Sequence, residues 1–121
     1  MARCTMVEIV HHSLVTTYGD DLVLDVAAAT LAIPVTHPIV SKTTGGAEAL
    51  TLADGVPGQA LIFILDTDGG DGTLTPATST GWATIVFADA GDHAVLLYVD
   101  DTIGWIILGL HGVAGPPAFT V

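Results

Sequence analysis

Residues 47–109 read AEALTLADGVPGQALIFILDTDGGDGTLTPATSTGWATIVFADAGDHAVLLYVDDTIGWIILG. Apolar runs alternate here with clusters of Gly, Asp and Pro at close spacing. ALTLA, QALIFILD, TLTP, WATIVFA, HAVLLYV and IGWIILG are the strand candidates. DGVPG, DTDGGDG, ADAGD and VDDT are the turns between them. Short strands with this punctuation predict an all-β domain, an antiparallel β-sandwich or barrel of jelly-roll-like type. Both faces of 61–65 are apolar, Leu61, Phe63 and Leu65 against Ile62 and Ile64, which predicts a central strand covered on both sides. Val95, Leu97 and Val99 lie opposite Leu96 and Tyr98. Trp105, Ile107 and Gly109 lie opposite Ile106 and Leu108. VDDTIG predicts a hairpin between the last two of these strands.

Outward from this block the pattern loosens. In residues 1–19, Val7, Ile9 and Leu14 suggest extended segments without a clean period. LVLDVAAATLAIP, after Asp20 and Asp21, reads as a strand with Leu22, Leu24 and Val26 on one face and Val23 and Asp25 on the other. A short helix capped by Asp20 is the alternative. Pro34 and Pro38 cannot donate to a sheet ladder, so residues 30–44 are expected to form an edge strand or an extended arm. The expected division is an N-terminal arm with first strands over 1–44, a β-core over 45–113 and an extended tail over 114–121. LTLADG and GTLTP share a Leu-Thr core, and IVFADAGD echoes LTLADG. They read as repeated hairpin chemistry rather than as a solenoid.

Composition narrows the function classes. The chain has 121 residues, enough for one domain, and half of them are hydrophobic. No apolar run reaches the roughly 18–20 residues of a membrane helix, and no aromatic girdle repeats as in a membrane barrel. So much apolar surface on a small domain points to burial against other subunits. Thirteen acids stand against two cations, Arg3 and Lys42, for a formal charge of -11. Such a chain neutralises phosphates poorly, so neither nucleic acid nor an anionic membrane is an expected partner. Asp20, Asp21, Asp54, Asp66, Asp68, Asp71, Asp89, Asp92, Asp100 and Asp101 all fall in predicted turns, where they are expected to be solvated. The single Cys4 permits no internal disulfide, and no secretory signal is evident, so synthesis in a reducing cytoplasm is expected. Oligomerisation then becomes the expected source of stability.

Candidate chemistry is sparse. Asp66, Asp68 and Asp71 with Gly69, Gly70 and Gly72 look like the start of a calcium loop, but the twelfth position, where a bidentate acid is needed, is Ala77. A tight turn with solvated acids is expected there. His11 and His12 are adjacent, and His37, His93 and His111 are scattered, without the spacing of a zinc site. Ser13, Ser41 and Ser79 lie in no GxSxG elbow. The expectation is therefore no enzyme, no catalytic residues, no cofactor and no metal site. Trp82 and Trp105 are expected in a core or interface; exposed, they could stack on sugar rings.

AEALTLADGVPGQ, DGGDGTLTP, ATIVFADAGDHAVLLYVDD and GWIILG together resemble segments of small virion structural proteins of tailed bacteriophages, cyanophages among them. The resemblance spans residues 43–113 and points most closely to capsid decoration (cement) proteins, with related segments in head or tail fibre proteins. It implies an all-β, trimeric module with no catalytic residues, bound to the major capsid protein on the outer surface of the head at local three-fold positions. The alternative it leaves is a fibre module that binds host-surface glycan. An arm at 1–19 or 30–44 would then reach across the shell, with Arg3 and Lys42 expected to pair with acidic capsid or neighbouring groups.

Overall fold

The computed structural model describes residues 22–121. Residues 1–21 of the expected arm, with Arg3, Cys4, His11, His12 and Ser13, lie outside the described residues. The rest forms ten strands: β1 (Val23–Val26), β2 (Ala32–Ile33), β3 (Ile39–Thr43), β4 (Glu48–Leu52), β5 (Gln59–Thr67), β6 (Gly72–Pro76), β7 (Thr84–Phe87), β8 (His93–Tyr98), β9 (Trp105–His111) and β10 (Ala118–Thr120). They make two five-stranded sheets. Sheet I has the order β1-β3-β5-β8-β9 and sheet II the order β10-β7-β6-β4-β2.

The all-β sandwich expected from strand spacing is present, but it is not antiparallel throughout. The first six strands alternate between the sheets. Each pairs in parallel with the strand two places along: β1 with β3 and β3 with β5 in sheet I, β2 with β4 and β4 with β6 in sheet II. The chain thus winds three times around a common core. Only then does it turn antiparallel, through β7, β8, β9 and β10. The segments DGVPG and DTDGGDG do not close hairpins. They carry the chain from one sheet to the other. Val23, Ile39 and Ile62 share one row of sheet I, yet the sequence steps between them are unequal. Unequal turns of winding hide the period from a search for repeats.

Stacked connections hold the winding together. Thr44 N–H donates to Thr67 O at 3.0 Å and Glu48 N–H to Asp71 O at 2.9 Å. The Thr44 hydroxyl donates to Gly70 O at 2.7 Å and accepts from Gly69 N–H at 3.0 Å. A Cβ on Gly69 would run into the carbonyl oxygen of Thr44. The DTDGGDG connection can lie flat on the one beneath it because glycine stands at the contact.

Side chains pointing inward from both sheets form one core. Val26, Val40, Leu61, Phe63, Leu65, Ala94, Leu96, Tyr98 and Trp105 come from sheet I, and Ile33, Leu50, Leu52, Leu74, Ile85 and Phe87 from sheet II. Phe63 and Phe87 meet across the layers with ring centres 4.6 Å apart. Trp105 packs edge-on against Tyr98 at 5.3 Å, and its indole N–H donates to Ala53 O at 2.9 Å. Trp82 donates to Trp105 O at 2.9 Å. Both indoles are buried with their one donor satisfied, as buried tryptophans require.

The hairpin expected at VDDTIG is present: β8 and β9 are antiparallel neighbours. The Asp100 carboxylate accepts from Thr102 N–H at 2.9 Å and Ile103 N–H at 2.7 Å. Gly104 has φ 72°. A Cβ there would strike Thr78 O, so both conformation and space require glycine. The simple alternation expected for β9 fails beyond Ile107. Leu96 pairs with Ile107 but Val95 pairs with Gly109, leaving Leu108 as the extra residue of a bulge. Leu110, rather than Gly109, returns to the core side.

Residues 23–26 are a strand, as the pattern favoured. β2 is an edge strand, in line with the prolines around it. β3 is not: it starts immediately after Pro38 and lies between β1 and β5. The end of the C-terminal tail is not free either. β10 pairs with β7, and Ala83 N–H donates to Thr120 O at 2.7 Å.

The facing of β5 can be tested by substitution. Phe63→Ala removes a fully buried ring and is expected to cost about 3–5 kcal/mol. Ile62→Thr, on the outward face of the same strand, is expected to change stability by less than about 1 kcal/mol. Urea unfolding of the two variants measures both.

Candidate functional site

Where the connections between the sheets stack, a charged pair lies inside the fold. Lys42 is 0% exposed. Its ammonium donates to Ala27 O at 2.8 Å and Thr30 O at 2.8 Å, and contacts Glu48 Oε1 at 2.8 Å. Two of its donors meet carbonyl oxygens, and the carboxylate offsets its charge. Glu48 Oε2 in turn accepts from Gly45 N–H at 2.8 Å and Ala29 N–H at 3.1 Å. Those backbone donors, chiefly Gly45, together with the Lys42 ammonium hold the Glu48 carboxyl down at about 2, against an ordinary 4.5. This corrects the expectation that Lys42 reaches toward acidic groups of a capsid or neighbour. It is spent inside its own chain. Arg3 lies outside the described residues.

A shallow groove of about 520 Å³ runs beside this pair, lined by Ala28, Ala29, Leu31, Gly45, Ala47 and Glu48 among others. Glu48 is its one ionisable group, and that carboxylate is already committed to Lys42 and two amides. The groove offers no free proton donor or nucleophile.

The acids of the turns act locally. Asp68 Oδ1 accepts from Gly70 N–H at 3.0 Å. Asp92 departs from the expected solvated role. It is buried, with Oδ2 accepting from Ala88 N–H at 3.1 Å and Asp89 N–H at 3.2 Å. Tyr98 O–H donates to Asp101 Oδ1 at 2.7 Å. That bond, then burial of the phenol, pushes its ionisation far above the usual tyrosine value. Among the described residues, no three or more His, Cys, Asp or Glu side chains converge on one point. Ser79 donates to Trp82 O at 2.6 Å and serves the loop. The burial of Trp82 and Trp105 removes the ring platform that sugar stacking would need.

The two outer faces differ sharply in chemistry. On sheet II the rows are Ala32–Thr51–Thr75 and Ala49–Thr73–Val86–Ala118. These are small side chains, alanine and threonine with one valine. On sheet I one row runs Val23–Ile39–Ile62–Val95–Gly109 and a second Ala60–Leu97–Ile106. A third runs Asp25–Ser41–Ile64–His93–His111. Ile62 is 37% exposed and Leu108 is 58% exposed. Only one acid, Asp25, lies in these three rows, on the margin strand β1. In a chain with thirteen acids, a broad aliphatic face whose three rows hold one acid, at the margin, is the feature that most departs from an ordinary solvated surface. The expectation of a second cover over β5 has its counterpart here: the strand is central, its outward side is aliphatic, and the described residues leave that side open. No protein-family model matches the chain, and no curated protein matches it.

The Lys42–Glu48 pair makes stability depend on pH with a defined sign. A carboxyl held below its ordinary value stabilises the fold fully above about 4.5 and loses that contribution as pH falls toward about 2. Glu48→Gln leaves Lys42 buried without its counter-charge and is expected to cost about 3–5 kcal/mol at pH 7. The gap between wild type and variant should close as pH falls through that window, as followed by urea midpoints.

Proposed function

We propose that this chain is a non-enzymatic structural subunit of a tailed-phage virion, a capsid decoration (cement) protein. In this reading it assembles as a homotrimer on the outer surface of the head, contacts the major capsid protein at local three-fold positions and strengthens the shell. The observation that carries the reading is the aliphatic outer face of sheet I. Val23, Ile39, Ile62, Val95, Leu97, Ile106 and Leu108 form a surface whose exposure to water is unfavourable by roughly 25 cal/mol per Å² of apolar area. A partner that covers it recovers that free energy. The acid-rich turns lie outside its central rows, so another protein surface can cover this face without bringing many like charges together. The resemblance over residues 43–113 supplies the phage context and the trimer. Small structural subunits in symmetric assemblies need an interface, not a reactive centre.

Ile62→Asp is the discriminating substitution. It places a charge at the middle of the aliphatic rows on a side chain that the core does not use. Light scattering after size exclusion is expected to read a trimer of the 12.3 kDa chain. Ile62→Asp is expected to read a folded monomer, and to lose co-sedimentation with undecorated phage heads. A wild-type chain that is monodisperse as a monomer and also fails to pellet with heads would overturn the reading.

A further inference from the structure

We propose that His93 and His111 form a binding site for a divalent transition-metal ion, with Zn²⁺ as the type ligand, on the outer face of sheet I. The two residues are direct cross-strand partners on β8 and β9. Their ring centres are 5.5 Å apart and the rings are tilted by 32°. Two imidazoles bound to one tetrahedral zinc through bonds of about 2.0–2.1 Å have ring centres about 5 Å apart. The spacing of the two rings is thus compatible with one shared ion.

Ring chemistry supports the assignment. His93 Nδ1 lies 2.9 Å from Gly91 O. A carbonyl oxygen can only accept, so Nδ1 carries a proton, and in the neutral ring the lone pair is left on Nε2. A ring N–H anchored on a backbone carbonyl is the outer-shell arrangement that orients metal-bound histidines and fixes their tautomer. On the other strand, Gly109 leaves the space beside the second ring open. A Cβ there would stand 3.4 Å from His111 Nε2. Ile64 and Val95 flank the pair on β5 and β8 and limit water on those sides.

Two neutral imidazoles leave the ion its double charge, which a chain of formal charge -11 favours. Two protein ligands are half of a tetrahedral set, and water fills the other positions. The site is an exchangeable surface site rather than a structural zinc centre. It uses no residue of the Lys42–Glu48 cluster, and it does not depend on the virion reading. If the pair served only to pack β8 on β9, it would contribute a cross-strand contact and no metal affinity.

The test is a calorimetric titration of the full chain with Zn²⁺ alone, with the histidine ring nitrogens followed by NMR. His11 and His12 are a second possible source of affinity and are controlled directly. His93→Ala and His111→Gln are each expected to weaken binding by about tenfold or more, the size of loss that removing even an outer-shell partner can bring. The His11→Ala/His12→Ala chain is expected to stay within about twofold of wild type, well under the 1.4 kcal/mol of a tenfold change. Zn²⁺ should shift the Nε2 resonance of His93 and leave its Nδ1 protonated. Binding that disappears only in the His11/His12 variant overturns the proposal. So does wild-type affinity in His111→Gln, an exposed position whose change leaves the fold intact.

Discussion

The winding of the first six strands depends on satisfying the backbone groups of the connections that link the two sheets. Parallel pairing of β1 with β3 and β2 with β4 stacks the connection at 27–30 against the one at 45–48. The connections present carbonyls and amides that no strand ladder reaches, and beneath them lies the fully buried Lys42 ammonium, which is costly without partners. Lys42 and Glu48 resolve this from inside. The ammonium takes up Ala27 O and Thr30 O, while the carboxylate takes up Ala29 N–H and Gly45 N–H. Their mutual contact neutralises the charges that this task brings indoors. A buried ion pair is poor evidence of net stability when compared with a packed apolar pair. What the pair does in this structure is tie the 27–30 connection to the one that leads into β4.

The same architecture explains why the two sides of the sandwich look so different. Sheet II turns outward a surface of alanine and threonine that water tolerates. Sheet I turns outward isoleucine, valine and leucine. The inward faces of both sheets are already supplied, by Phe63, Phe87, Leu61, Leu74 and their neighbours. The outward aliphatics of sheet I are thus surplus to the fold of one chain. The acids cannot offset them locally, because most of them sit in the turns, where they cap backbone amides as Asp68, Asp92 and Asp100 do. A chain arranged this way has its charges mostly at the ends of the strands and its exposed aliphatic side chains across the middle of sheet I.

Much of the candidate surface was legible before any coordinates. Alternation along QALIFILD and HAVLLYV marks apolar side chains on both faces, and both strands do carry them. The cross-strand meeting of His93 and His111 was not legible. The two residues are far apart in sequence, and their encounter depends on the register of β8 on β9, including the bulge that releases Leu108. Likewise nothing local distinguishes Lys42 from a surface lysine. Its burial follows from β3 being an interior strand, which Pro34 and Pro38 seem to argue against until both are seen to lie outside the strand itself.

What the sequence by itself determined is local: β structure rather than helix, the alternation that gives strands two faces, and the β8–β9 hairpin. A period of two and the conformational demands of Asp, Gly and Pro are properties of neighbouring residues, so they can be read from neighbouring residues. Only the tertiary structure decided which strands pair, and in which direction. A short Gly- and Pro-rich connection can fold a strand back beside its predecessor, about 4.8 Å away, or carry it about 10 Å to the facing sheet. The same residue types serve both. The choice is made by which apolar faces close over one another and by whether the stacked connections find partners for their polar groups, and both are decided by residues distant in the chain.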